Sequence, residues 1–100
     1  MAKLCLTLLC PPSVEEALID LLLAQAGDET FVTSAAFSHG LAHARLAPSE
    51  QVLGRSASVA IQILVEPAAA DALLMQLRTR FKGTGLRYWA HALALEGEIE

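Results

Sequence analysis

Several features that mark common protein classes are scarce in this sequence of 100 residues. It has two cysteines, one tryptophan and only seven basic side chains against eleven acidic ones, so its net charge is −4. The acidic balance argues against a general nucleic-acid binder and against docking onto anionic lipid, because both need a basic surface. The sequence also lacks a Walker or Rossmann glycine motif. We therefore expect no nucleic-acid partner.

Long apolar runs are missing as well. Residues 4–10 are mostly apolar but are followed by two prolines instead of a signal cleavage site, and residues 21–24 are far too few to span a bilayer. Cys5 and Cys10 fall on one expected strand about 16 Å apart, beyond the reach of a disulfide. Reduced thiols are typical of the cytosol. We expect a cytoplasmic protein that is not embedded in a membrane.

Regular alternation and helical periodicity are what the sequence does contain. Strands are predicted at residues 3–10, 30–38, 55–66 and 86–95, and helices at residues 14–26 and 67–82. This order predicts an α+β, ferredoxin-like βαββαβ two-layer sandwich, with a four-stranded antiparallel sheet and both helices on one face. We expect a single domain over residues 1–100, with a long loop at 39–53 and a loose tail at 96–100.

One face of the expected sheet carries no charge in its middle, although a solvated sheet face should be strongly polar. Apolar residues make up 54% of the chain, above the roughly 45–50% of soluble domains. Either small side chains tolerate water there, or this face packs against other copies of the chain. We favour the second interpretation. The predicted interface residues are Cys5, Thr7, Leu9, Ala60, Gln62, Leu64, Trp89 and His91.

Four short motifs carry a resemblance to a known family. They are LTLLCPP at 6–12, HGLAH at 39–43, SEQVLGR at 49–55 and GLRYW at 85–89. With its long connection between the second and third strands, the sequence resembles a small bacterial PII-like family of unknown function, related to PII nitrogen-regulatory and divalent-ion tolerance proteins. The resemblance implies a signalling homo-oligomer, most naturally a trimer, whose sheets face inward and whose loops meet ligand at subunit clefts.

The same resemblance implies a metal-linked regulatory role, because members of the family often accompany heavy-metal efflux systems. A membrane efflux system would then be the protein partner. The sequence departs from true PII proteins in two places. The loop at 39–53 has no tyrosine, and KGTGLR at 82–87 only loosely matches the phosphate-binding turn of PII.

A soft-metal site is the first candidate chemistry. His39, His43 and Cys10 supply imidazole and thiolate groups, which suit zinc or copper. The two histidines are four residues apart and share one side of the chain if the loop turns helically there. The alternative is a loop with two solvated histidines and a buried structural thiol.

A small anion or nucleotide is the second candidate ligand. Gly83 and Gly85 would allow close backbone approach, and Lys82, Arg87 and Arg55 would meet a phosphate. The alternative is an ordinary turn at a helix end with surface bases.

Glu50 and Gln51 complete the predicted ligand set. They either hold the loop, through a Glu–Arg pair, or contact the ligand directly. Catalysis would need Cys10 as nucleophile and His39 as base. No acid is obviously placed to orient that histidine, and no paired carboxylates fall on the strands, so we predict that the protein is not an enzyme. A non-catalytic structural interaction protein is the remaining alternative.

Overall fold

The computed structural model describes residues 3–25, 30–40 and 55–100. Its elements are β1 (Leu4–Cys10), a 3-10 turn (Pro12–Val14), α1 (Glu15–Gln25), β2 (Phe31–Ser38), β3 (Ser56–Val65), α2 (Pro67–Arg80) and β4 (Arg87–Ala92). The predicted βαββαβ order is confirmed, and each strand and α-helix lies within its predicted limits, whereas the 3-10 turn was not predicted. Most of the long loop predicted at 39–53 lies outside the described residues. The predicted tail at 96–100 has no regular structure and is exposed.

The four strands form one sheet in the order β2-β3-β1-β4, and every neighbouring pair is antiparallel. The two central strands pair Leu6 with Ile63 and Leu8 with Ile61. Because β1 and β2 both run antiparallel to β3, they point in the same direction. The ends of β1 and β2 and the beginnings of β3 and β4 therefore share one end of the sheet.

The core lies between the sheet and the two helices. Side chains with 0% exposure come from both layers: Leu6, Leu8, Leu18, Leu22, Ile61 and Ile63. Helix α2 adds Ala70, Leu73 and Leu77 at helical spacing. Burial of each large aliphatic side chain contributes about 1.5–3 kcal/mol, so this double layer supplies most of the driving force for folding. No helix within the described ranges has the length and apolarity needed to cross a bilayer.

Prolines set the boundaries between strands and helices. Pro11 and Pro12 follow β1 directly and cannot donate to the sheet. Pro12 instead begins the 3-10 turn, in which the Val14 N–H donates to the Pro11 carbonyl at 3.0 Å. Pro67 occupies the first turn of α2, where a missing N–H costs nothing.

Two leucines of α1 offer a matched test of this packing. Leu18 is completely buried, whereas Leu23, further along the same helix, is 64% exposed. We expect Leu18→Ala to lower the free energy of unfolding by about 2–5 kcal/mol because it leaves a cavity. Leu23→Ala should change it by less than about 0.5 kcal/mol. Urea denaturation at one fixed protein concentration measures both, and equal losses would contradict the described core.

Candidate functional site

A cleft opens at the end of the sheet where β1 and β2 finish and where β3 and β4 begin. The register brings these strand ends together, since Cys10 pairs with Val59 and Leu9 pairs with Arg87. We call it the loop-end cleft, because the connection between β2 and β3 leaves from its rim. The cavity measures about 430 Å³. Its lining includes Cys10, Ala36, Ser38, His39, Ser58, Ala60, Gly85, Arg87 and Trp89.

Small side chains make room for this cavity. Ala36, Ser58 and Ala60 face it from the two strands β2 and β3, and Gly85 faces it from the turn before β4. Gly85 has a φ of +87°, a conformation that residues with a Cβ rarely adopt. A Cβ at this position would meet only the Pro11 ring carbon, at an ordinary 3.8 Å. Backbone conformation, and not lack of space, therefore requires glycine here.

The polar groups of the loop-end cleft suit an anion. Arg87 contributes a permanent positive charge, and no residue that the structure describes along the cleft wall is acidic. The hydroxyls of Ser38 and Ser58 lie 2.6 Å apart, and either one can be the donor. Trp89 is 48% exposed and adds an aromatic surface. A guanidinium, two hydroxyls and an indole can hold an anionic group joined to a flat ring.

The three predicted metal ligands are placed very differently. His39 borders the loop-end cleft and is exposed, whereas Cys10 is 1% exposed and belongs to the core between sheet and helices. Burial, and secondarily the negative charge of Glu15, raises the pKa of the Cys10 thiol. A metal needs the thiolate, so Cys10 fits a structural thiol better than a ligand. His43 lies outside the described residues.

No three His, Cys, Asp or Glu side chains come together as a metal site within residues 3–25, 30–40 and 55–100. The described part of the loop-end cleft holds only two imidazole or thiolate donors, His39 and Cys10, which are too few for a complete zinc or copper centre. We therefore derive no metal chemistry from it.

The predicted anion ligands are divided between two sides of the sheet. Arg87 lines the loop-end cleft, whereas Lys82 and Gly83 line a separate groove beside α2. Gly85 borders both cavities. Arg55 lies at the start of β3 with its guanidinium carbon 4.1 Å from the centre of the Phe37 ring, a cation–π contact. The predicted Glu50 and Gln51 lie outside the described residues.

One hydroxyl that sequence reasoning missed organises the turn before β4. Thr84 Oγ1 donates to the Phe81 carbonyl at 2.6 Å and accepts from the Leu86 N–H at 3.4 Å. These bonds close the turn and so position Gly85 next to the cleft. The sequence signal was a threonine between two glycines, which is typical of turns closed by a side chain.

The sheet face opposite the helices, which we call the open face, holds all eight predicted interface residues. Here Cys5 lies opposite Leu64 and His91, Thr7 lies opposite Gln62 and Trp89, and Leu9 lies opposite Ala60. Thr7 is 4% exposed, and its Oγ1 has no hydrogen-bond partner among the described residues. Val32, which is 59% exposed and paired with Gln62, extends the apolar surface of the open face. It was not among the residues that the sequence predicted for the interface.

The raised pKa of Cys10 predicts a dependence of stability on pH. As the pH rises above the ordinary thiol pKa of 9.0, the unfolded chain loses this proton before the folded chain does. The contribution of Cys10 is therefore complete below pH 9.0 and declines as the pH rises. Urea denaturation from about pH 8 to about pH 10 should show a decline that Cys10→Ala flattens. The control Cys5→Ala retains Cys10 and should retain the decline; identical slopes in both variants would refute the assignment.

Comparison with known proteins agrees with the fold described above. A DUF3240 family protein from Shewanella baltica OS155 has a TM-score of 0.79 at 17% identity, over 100% of this chain and 99% of that one. CPII, a nitrogen regulatory PII-like protein from Thiomonas intermedia K12 bound to ADP, AMP and bicarbonate, has a TM-score of 0.73 at 17% identity, over 99% and 98%. A PII-like signalling protein from Thermus thermophilus has a TM-score of 0.67 at 11% identity, over 93% and 87%.

These identities are low, so the likeness establishes the fold alone: an α+β, PII-like, ferredoxin-like sandwich. Among curated protein sequences, none matches the chain. The family DUF3240, described as proteins of unknown function, matches residues 1–100. The whole sequence is thus covered by one family, and the chain belongs to the DUF3240 family.

Proposed function

We propose that the protein is a non-catalytic regulatory module of the PII-like fold that binds a small anionic ligand in the loop-end cleft. One observation carries the proposal. Arg87, His39 and the hydroxyls of Ser38 and Ser58 meet in one cavity at the point where the connection between β2 and β3 begins.

The chemistry of the cavity favours a nucleotide or a similarly small anion. A guanidinium recognises phosphate and carboxylate groups through paired hydrogen bonds, and Arg87 is placed to act in this way. Trp89 provides a ring surface on which a base can stack. CPII has the same fold and is bound to ADP, AMP and bicarbonate. We take these three compounds as the probes to be tried first.

Ligand binding in the loop-end cleft would act on the connection at residues 41–54. His39 comes just before that connection and borders the cavity, and Ser56 comes just after it and borders the cavity too. A ligand that contacts both ends of the connection would bind some arrangements of the connection more tightly than others. It would therefore shift the equilibrium between them, as a regulatory switch requires. A partner protein would then recognise the connection. The thiol of Cys10, with its raised pKa, is a poor nucleophile, which supports a role without catalysis.

Self-association through the open face is the second part of the proposal. Val32 and Trp89 expose large apolar surface on this face, and the buried hydroxyl of Thr7 lacks a partner among the described residues. Exposed apolar side chains that form one patch are typical of an interface between protein chains. We propose a homo-oligomer, with a trimer as the expected form. Its two buried thiols, Cys5 and Cys10, support a cytoplasmic protein.

Zinc or copper is the second candidate ligand. The observation in its favour is that His39 and Cys10 both line the loop-end cleft. A partnership with a heavy-metal efflux system depends on this candidate. The burial of Cys10 counts against it, so we rank it below the anion.

Removing the charge of Arg87 tests the anion site. Arg87→Gln should weaken the binding of ADP, AMP or bicarbonate by about tenfold or more, because a hydrogen bond to a charged group contributes about 1.5–3 kcal/mol. Isothermal titration calorimetry with each compound measures this. Arg80→Gln is the matched control, since Arg80 lines a separate groove between the helices.

Equal weakening in both arginine variants, or no binding of any of the three compounds at millimolar concentration, would reject the anion proposal. Zinc binding that disappears in His39→Ala would favour the second candidate instead.

A charge in the middle of the open face tests self-association. Ala60 is half-buried on the open face between β1 and β2, opposite Leu9 and Ser34. Ala60→Glu should shift the protein towards monomer in sedimentation equilibrium, because an interface would have to bury the carboxylate. Met75→Glu, at a position that is 68% exposed on α2, should leave the oligomer intact. A wild-type protein that is monomeric at micromolar concentration would refute this part.

A further inference from the structure

A second cavity, which we call the α2–β4 groove, lies on the helix side of the sheet. It measures about 480 Å³, and its walls come from the end of α2, the following turn and β4. Leu74, Leu77 and Phe81 make its apolar wall, while Arg78 and Lys82 supply two positive charges. None of the described residues that line it is acidic. In a chain with an overall charge of −4, this groove is a local positive site with an apolar floor.

Specific side-chain contacts hold one of the bases at the rim of the groove. Arg78 Nη2 donates to the hydroxyl of Tyr88 at 3.0 Å, and the guanidinium carbon lies 5.8 Å from the centre of the Tyr88 ring. These contacts fix one positive charge at the rim, directly beside β4. Strand β4 ends the sheet order, so no strand covers this side of the groove in the described sheet.

The segment that follows β4 has the complementary pattern. Residues 93–100, LALEGEIE, alternate apolar and acidic positions; we call them the acidic segment. In an extended chain Leu95 and Ile99 share one side, and all three glutamates, Glu96, Glu98 and Glu100, share the other. Such alternation is typical of a half-buried strand. Yet Leu95 is 91% exposed and Ile99 is 98% exposed, so the apolar side has no cover within the described chain.

We propose that the acidic segment of one copy of the chain docks into the α2–β4 groove of a second copy. Leu95 and Ile99 would contact the apolar wall formed by Leu74, Leu77 and Phe81, and the glutamates on the other side of the segment would face the basic rim of the groove. The proposal rests on the proposed self-association, and it adds a second contact region beyond the open face. The acidic segment complements the groove both in charge and in the spacing of its apolar side chains.

A chain is poorly placed to fill its own groove in this way. The acidic segment leaves β4 at the end where the Leu93 N–H donates to the Lys3 carbonyl at 3.3 Å. The groove lies at the other end of β4, beside Lys82 and Gly83. Five steps along β4 span about 17 Å. After a reversal of two residues, the five residues from Leu95 to Ile99 span four steps, or about 13 Å. Ile99 would then come level with Tyr88 at the near rim of the groove and stop short of Lys82 and Gly83.

Crosslinking between two differently tagged chains tests the docking. One chain carries Ile99→Cys and the other carries Leu74→Cys in the groove wall; the two are co-expressed and then oxidised. Leu74→Cys leaves both groove bases in place, and the native cysteines are buried. We expect a mixed disulfide at least about tenfold faster than with Met75→Cys, because docking raises the effective concentration of the two thiols. Met75 lies on the same helix and is 68% exposed.

Charge reversal shows whether complementarity causes the contact. Glu96→Lys with Glu98→Lys, or Arg78→Glu with Lys82→Glu in the other chain, should each reduce the crosslinking rate to that of the Met75→Cys control. Combining both reversals should restore it. Rates at Leu74→Cys and Met75→Cys that are equal would overturn the proposal, and so would a rate that ignores these charges. Crosslinking within one chain carrying both cysteines, without mixed product, would overturn it as well.

Sedimentation equilibrium on the same samples separates the two proposals. An intact oligomer without the specific crosslink rejects the docking alone. A monomer rejects the docking together with the self-association on which it rests.

Discussion

The pairing of β1 with β3 is the constraint on which the other features depend. These two strands form the middle of the sheet, and seven residue pairs from Leu4–Val65 to Cys10–Val59 fix their register. The register places Leu6, Leu8, Ile61 and Ile63 on the side of the helices, where all four are completely buried. A shift by one residue would turn these side chains to the open face. The same register brings the strand ends together at one end of the sheet and so creates the loop-end cleft.

Most of the fold could be predicted from local sequence patterns. The alternation of β3 and the helical spacing of Leu73 and Leu77 in α2 have clear periods, and Pro11, Pro12 and Pro67 mark where one period gives way to the next. The detail of the first helix was less readable. Its entry is a 3-10 turn at Pro12–Val14, and this turn depends on how the chain turns from the sheet onto the helix layer, which no local pattern states.

The candidate site could be predicted from the sequence only in part. The metal hypothesis named Cys10 and His39 and the anion hypothesis named Arg87, and the structure places all three at the loop-end cleft. Cys10 shares the parity of Leu6 and Leu8, which turns its side chain into the core, in line with the alternative of a buried structural thiol. The anion hypothesis grouped Lys82 with Arg87, although the turn between them directs them to opposite sides of the sheet. Proximity along the chain was an unreliable guide because a turn containing glycines reverses the direction in which side chains point.

The turn held by Thr84 is the thin wall between the two cavities. Gly85 borders the loop-end cleft on one side and the α2–β4 groove on the other, with no side chain to fill either. An occupant that shifts this backbone in one cavity must change the shape of the other, since both share the same few atoms. By thermodynamic linkage the effect is mutual. If a ligand in the cleft changes the binding affinity of the groove by some factor, an occupant of the groove changes the binding affinity of the cleft by the same factor. Through Gly85, binding on one side of the sheet would change the binding affinity on the other side.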